Sequence, residues 1–281
     1  MVRIIADTTA GIPRHLAEEY DIPILPQIII FGEESYRDDT ELDTHAFLDK
    51  LRAAPTLPKT TAPPPVLYTP IFERLAAEGD TIICLHPSAE LSGTVRAATV
   101  AARDFPDADI RVVDTRTTAG PLATMVLLAA RWARQGVDAD TILERVRELM
   151  ARQRVYFVVD TLEYLHKGGR IGGAKALLGG LLRIKPILTL KDGRVEPFEQ
   201  QRTARRALAR LRELVLEGCP PGTEGYPCVM HADAEEEARS LATDFAAKLG
   251  LTEVPIYQLP PAVVAHAGPG VLATSYFAPK S

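Results

Sequence analysis

The chain has 281 residues, and 32 Lys and Arg against 37 Asp and Glu leave a formal net charge of −5 at pH 7. Its 46% hydrophobic and 25% charged residues are the balance of a folded globular protein, which excludes intrinsic disorder. At roughly 150 residues per domain the length fits about two domains, and the mild acidity excludes a general attraction to nucleic acid or an anionic membrane.

Residues 2–6 form a short apolar run ending at Asp7, followed by an amphipathic helix over 13–20. Residues 24–31 are a second predicted strand, with Pro26 near its start or at a sheet edge. Asp43 is placed to N-cap a helix through Leu51 with Phe47, Leu48 and Leu51 on one face. A helix is expected over 66–78, strands over 81–85 and 110–113, and long helices over 122–132 and 139–150. Strands alternating with helices predict a mainly parallel sheet flanked by helices.

Beyond residue 154 the pattern changes. A strand over 155–159 leads to a short helix over 161–167, stopped by Gly168-Gly169. Residues 184–190 and 194–198 flank Asp192-Gly193, a strong hairpin signal. A helix over 203–216, a strand over 227–231, a helix over 234–249 and two or three short closing strands complete the chain. The fold class is therefore α/β: an N-terminal α/β domain over residues 1–155 and a C-terminal α+β domain over 156–281.

Three dispersed cysteines, Cys84, Cys219 and Cys228, suit a reducing compartment better than disulfides or zinc, and the first apolar run is too short for a signal peptide. A cytoplasmic location is expected. No dinucleotide fingerprint, Walker loop, zincin helix or nucleophile elbow occurs, and the six histidines form no metal-ligand pair, so neither metal nor cofactor is expected.

Attention falls instead on hydroxyl- and glycine-rich segments at strand ends, where open parallel sheets bind ligands. Asp7-Thr8-Thr9 follows the first strand, serving either as a turn and cap or as part of a site. Thr60-Thr61 precede a proline-started helix, where donors and a helix dipole favour an anion. Residues 86–94 carry Ser88, Ser92 and Thr94 around Gly93, more hydroxyls than one cap needs. Two Gly-Gly pairs around Arg170 suggest a loop that packs closely on something or changes shape. His266 stands beside an apolar strand candidate, before the constrained turn Gly268-Pro269-Gly270. Arg202, Arg205, Arg206, Arg210 and Arg212 form a basic cluster suited to an acidic partner or a phosphorylated ligand.

In order along the chain stand ADTTAGIP from Ala6, TTAPPP from Thr60, SAELSGT from Ser88, VVDT from Val112, DTLEYLHKGGRI from Asp160, LLRIKPIL from Leu181, QRTARRA from Gln201 and HAGPG from His266. With these eight segments the chain resembles the DegV family of bacterial fatty-acid-binding proteins over essentially its whole length. The resemblance implies a long-chain fatty acid, such as palmitate or oleate, in a tunnel between the two domains. It implies a carboxylate held by Thr61, Ser92, Arg170 and His266, with Thr60 and Gly93 in the secondary ligand loop. It also implies a non-catalytic, lipid-carrying role beside a separate ATP-binding fatty acid kinase subunit that forms the acyl phosphate, with Arg202 at the docking surface. Membrane contact would be transient, for lipid exchange, and no nucleic acid partner is expected. The family's usual Thr-Ser-Gln-Pro-Ser-Pro is here Thr60-Thr61-Ala62-Pro63-Pro64-Pro65, which removes the Gln amide and the second Ser. Two other functions fit the residues alone: a stand-alone phosphotransferase or acyl hydrolase using Ser92 or His266, and a lipid-dependent regulatory or scaffold protein.

Overall fold

The computed structural model describes residues 1–178 and 184–280. The first three residues of the LLRIKPIL segment, 181–183, lie outside the described residues. The strands of the first half are Val2–Asp7 (β1), Ile24–Leu25 (β2), Ile28–Phe31 (β3), Glu34–Arg37 (β4), Lys59–Thr61 (β5), Thr81–His86 (β6) and Ile110–Asp114 (β7). Those of the second half are Gln153–Val158 (β8), Lys185–Lys191 (β9), Arg194–Gln201 (β10), Cys228–His231 (β11), Ile256–Gln258 (β12) and Leu272–Phe277 (β13).

The first sheet, ordered β2-β1-β6-β7, is parallel throughout. Its apolar runs bury both faces, as a parallel sheet covered by helices requires. Ile4, Ala6, Ile83 and Leu85 pack on Leu122, Met125 and Val126 of helix Gly120–Arg134. The alternate residues Ile5, Ile82 and Cys84 pack on Phe72 and Leu75 of helix Thr69–Ala77 and on Ala98 and Ala101 of helix Thr94–Ala102.

The second sheet is mixed, ordered β10-β9-β8-β13-β11-β12, antiparallel except for the parallel β11–β12 pair. One face, with Tyr156, Ile187, Val229 and Tyr276, packs on helices Ala204–Gly218 and Glu235–Leu249. The other face, with Phe157, Leu188, Val195, Met230 and Ala273, shares one apolar cluster with Ile29, Phe47, Ala119 and Ala123 of the first half. The core therefore runs continuously across the junction. At that junction helix Ala139–Arg152 passes directly into β8.

Three predicted elements differ. Residues 24–31 are two strands: β2 extends the parallel sheet, while β3 pairs antiparallel with β4 and β5 in a third sheet. Pro26 has no N–H for a ladder, and the Gln27 amide donates to the Asp38 side chain at 2.8 Å instead. Residues 59–61, read as a loop, form the short strand β5. The stretch around His266, read as strand and turn, is helix Pro261–Ala267. Proline at its start and Gly268 (φ 83°) after its end delimit the helix, overriding the strand preference of Val263 and Val264. Among the described residues no helix is long and apolar enough to cross a membrane.

Candidate functional site

The junction between the two halves holds a cavity of about 860 Å³, its open mouth included. Its walls are mostly apolar: Phe157, Leu190, Val195, Met230 and Ala273 from the mixed sheet, Val271 just before β13, and Leu259, Ala262 and Val263 around the last helix. Polar groups come from Thr9, Gln27, Thr60, Ser92, Thr118, Arg170 and His266. A few polar groups on an apolar lining orient a ligand whose bulk is hydrocarbon.

Each polar group is positioned locally. In β5, Thr60 stands opposite the fully buried Ile29, so the strand's period of two turns Thr60 inward. Its Oγ1 lies 2.8 Å from His266 Nε2. The neighbouring Thr61 faces outward, exposed, and its hydroxyl donates to the Ala62 carbonyl at 3.0 Å. The structure thus brings Thr60, Ser92, Arg170 and His266 to one cavity and leaves Thr61 off its lining.

His266 occupies the last turn of its helix, its ring against the backbone of Gly168, where a β-carbon would collide with Nδ1. Burial, with the Arg170 charge as a lesser cause, lowers its pKa from 6.5 to about 4, so the ring is neutral at pH 7. Nδ1 is buried and finds no partner among the described residues. Because a bare N–H is costlier to bury than a bare lone pair, the proton belongs on Nε2. It is then donated to Thr60, whose own proton is left for the cavity.

Arg170 follows the helix Glu163–Lys167 and Gly168-Gly169. Its Nε donates to the Leu91 carbonyl at 3.0 Å and Nη1 to the Gly168 carbonyl at 2.7 Å. Half-buried, it makes no salt bridge to an acidic side chain among the described residues, and burial pulls its pKa below the ordinary value. Arginine nevertheless stays protonated, leaving on the lining of a mostly apolar cavity a cation with no acidic partner among the described residues.

The three hydroxyls of residues 88–94 have separate tasks. Ser88, fully buried, donates to the Gly193 carbonyl at 2.8 Å at the tip of the β9–β10 hairpin. Asp192 and Gly193 both have positive φ, as the tight hairpin turn requires. A second tie joins Arg194 Nε to Glu90 at 2.9 Å, so the hairpin carrying Leu190 and Val195 is fastened over the cavity. Ser92 lines the cavity and pairs with Thr94 Oγ1 at 2.8 Å. Gly93 is exposed, and a β-carbon there would meet the Ala62 side chain at 3.6 Å, an ordinary contact distance. Asp7 is both cap and network member, accepting from the Thr9 amide and hydroxyl and from Gln27, with His86 Nδ1 at 2.8 Å.

Arg202 lies outside the cavity, exposed at the start of helix Ala204–Gly218 with Arg205 and Arg206. The basic cluster is smaller than the sequence suggests. Arg210 pairs with Glu199, Glu213 and Glu217, and Arg212 with Asp244. Sequence reasoning missed Gln27, Thr118 and Asp38. Gln27 stands between a proline and an isoleucine run, where nothing in the pattern marks a polar group turned inward.

Residues 1–279 match the family described as "Uncharacterised protein, DegV family". A DegV domain-containing protein of Streptomyces coelicolor is 38% identical over 273 residues, covering 96% of each chain. One from Halalkalibacterium halodurans is 33% identical over 280 residues and 99% of each. Among solved structures, a fatty-acid-binding DegV family protein from Thermus thermophilus superposes with a TM-score of 0.90 at 30% identity, covering 99% of both chains. DegV of Bacillus subtilis, a fatty acid binding protein, superposes at 0.88 with 30% identity and the same coverage. Matched over nearly its whole length in sequence and in fold, the chain is a member of the DegV family.

Proposed function

We propose that this chain binds a long-chain fatty acid, such as palmitate or oleate, in the cavity, its carboxylate held by Arg170, Thr60, Ser92 and the Thr60–His266 pair. The observation that carries the reading is Arg170: a half-buried guanidinium without an acidic partner among the described residues, beside two hydroxyls on an apolar cavity. Such a charge is costly to bury until an anion joins it. The tail supplies most of the affinity, since each buried methylene contributes about 0.8 kcal/mol, while the head group sets the orientation. Fatty-acid-binding relatives with the same fold support it.

Native mass spectrometry and lipid extraction of the purified protein should find a fatty acid at one per chain. After delipidation, palmitate should bind about tenfold more weakly to Thr60→Val, which loses a hydroxyl facing the acid. Thr61→Val should bind within about twofold of the wild type, as an outward surface position. If no fatty acid copurifies and added palmitate does not bind, the reading fails.

The finer role is a non-catalytic carrier that presents the acid to a separate ATP-binding kinase subunit for acyl-phosphate formation. Its support is the missing phosphate-binding loop and the exposed group Arg202, Arg205 and Arg206. The Ser92 hydroxyl pairs with Thr94 rather than with a histidine, which favours a carrier over a hydrolase. Arg202→Glu should cut transfer to the bound acid by such a subunit at least tenfold while palmitate affinity holds. Unchanged transfer removes Arg202 from the docking surface.

A further inference from the structure

A chain of buried hydrogen bonds runs from Asp7 to the cavity, and its donor direction can be followed atom by atom. Asp7, fully buried, accepts from the Thr9 amide at 3.0 Å and the Thr9 hydroxyl at 2.6 Å. Gln27 Nε2 lies 3.0 Å from the same carboxylate oxygen. A carboxylate accepts, so the NH₂ end of the Gln27 amide is the end that faces Asp7. That nitrogen is also 3.0 Å from Thr94 Oγ1, which makes the Thr94 hydroxyl an acceptor there.

Thr94 is fully buried, closed off from bulk solvent. Its own proton therefore goes to its remaining neighbour, Ser92 Oγ, at 2.8 Å. The Thr94 amide also points at Ser92 Oγ, at 3.4 Å. Ser92 is thus an acceptor on the protein side, and its single proton is left for the cavity it lines. Ser, Thr and Gln side chains can donate or accept, and only the anchoring carboxylate makes this sequence of bonds one-way.

We propose that Asp7, Gln27 and Thr94 form a one-way hydrogen-bond relay that fixes Ser92 as a donor toward the cavity, so that the site selects a head group that only accepts, a carboxylate over an alcohol. Gln27 and Thr94 are then positioning residues. The proposal rests on the fatty-acid reading above.

The test is competition between palmitate and 1-hexadecanol, equal in tail and different in head group, on delipidated full-length protein. The wild type should prefer palmitate. Thr94→Val, isosteric but without the hydroxyl, frees Ser92 to donate or accept and should lower that preference about tenfold, with hexadecanol affinity moving less than about twofold. Thr94→Ser restores the hydroxyl and should restore the preference. In a Ser92→Ala background Thr94→Val should change the preference no further, since both act through one proton. If Thr94→Val does not fold, Gln27→Met, which keeps the length and removes the donors, must show the same loss.

Equal weakening of both ligands in Thr94→Val, failure of Thr94→Ser to rescue, or additive effects in the Ser92→Ala background overturns the relay. A wild type that binds neither ligand overturns the fatty-acid reading and the relay with it. A wild type whose preference Thr94→Val leaves unchanged overturns the relay alone.

Discussion

Alanine at position 172 should destabilise the protein by about 2–5 kcal/mol and weaken palmitate binding, whereas alanine at position 169 should cost about 1 kcal/mol. Both glycines have positive φ, 50° at Gly172 and 73° at Gly169, so both substitutions carry the strain of a left-handed backbone. Their surroundings differ. No atom lies within 4 Å of a β-carbon at Gly169. At Gly172 the β-carbon would run into the Val195 carbonyl oxygen, with the Val195 carbonyl carbon at 3.1 Å and its nitrogen at 3.2 Å. These are backbone atoms of β10, held in register by Val195↔Leu190 pairing, and they cannot rotate aside. The wall must move as a unit, and both Val195 and Leu190 line the cavity. Urea denaturation of the two variants at one pH, with palmitate binding alongside, separates strain from collision. Equal costs at both positions would sink the collision argument. The first glycine of the second Gly-Gly pair is thus explained by close approach to backbone, whereas a β-carbon at Gly173 would meet the Glu196 carboxylate, the end of a side chain that can turn away.

The parallel sheet was legible because its strands are short apolar runs ending in polar residues. The Asp43 cap was legible because Asp before an apolar stripe has one common use, and its side chain does accept from the Ala46 amide at 2.8 Å. The Asp192-Gly193 hairpin was legible for the same kind of reason. Less visible was anything decided by a partner strand. Thr60 and Thr61 are chemically alike, and only pairing of β5 with β3 turns one inward and the other out. Likewise Val263 and Val264 favour a strand locally, while the bounding proline and glycine and the packing of Val264 and Ala265 into the central cluster make a helix. The arginines after Arg202 read as one patch because their acidic partners Glu199 and Asp244 sit on other elements. Gln27 and Asp38 emerged only when three strands brought them beside Asp7.

Two buried groups near the cavity should tilt the stability of the delipidated protein in opposite directions with pH. Asp38 Oδ1 accepts from the Gln27 amide and the Thr8 hydroxyl, but Oδ2 is buried without a partner among the described residues. Burial, opposed by those two hydrogen bonds and reinforced by nearby Asp7 and Asp39, raises its pKa from 3.8 to about 7. Between those values the folded state holds a proton that the unfolded state has released, so stability falls as pH rises through the window. His266, facing Arg170 and Thr60, is the reverse case, lowered from 6.5 to about 4. There the unfolded state holds the extra proton, and stability rises with pH from 4 to 6.5. At about 1.4 kcal/mol per unit, the two contributions are on the order of 4 and 3 kcal/mol and largely cancel in the wild type. Asp38→Asn keeps an acceptor for Gln27 and Thr8 and cannot titrate, so it should gain stability relative to wild type as pH rises from 4 to 7.5. His266→Gln should lose it over the same range, chiefly below pH 6.5. Urea midpoints of the three proteins at pH 4, 5.5 and 7.5 give the difference curves directly, and a flat curve for either variant removes that residue from the account. Opposed slopes would mean that the walls of the cavity keep nearly constant stability across mildly acidic pH because a buried acid and a buried base offset each other.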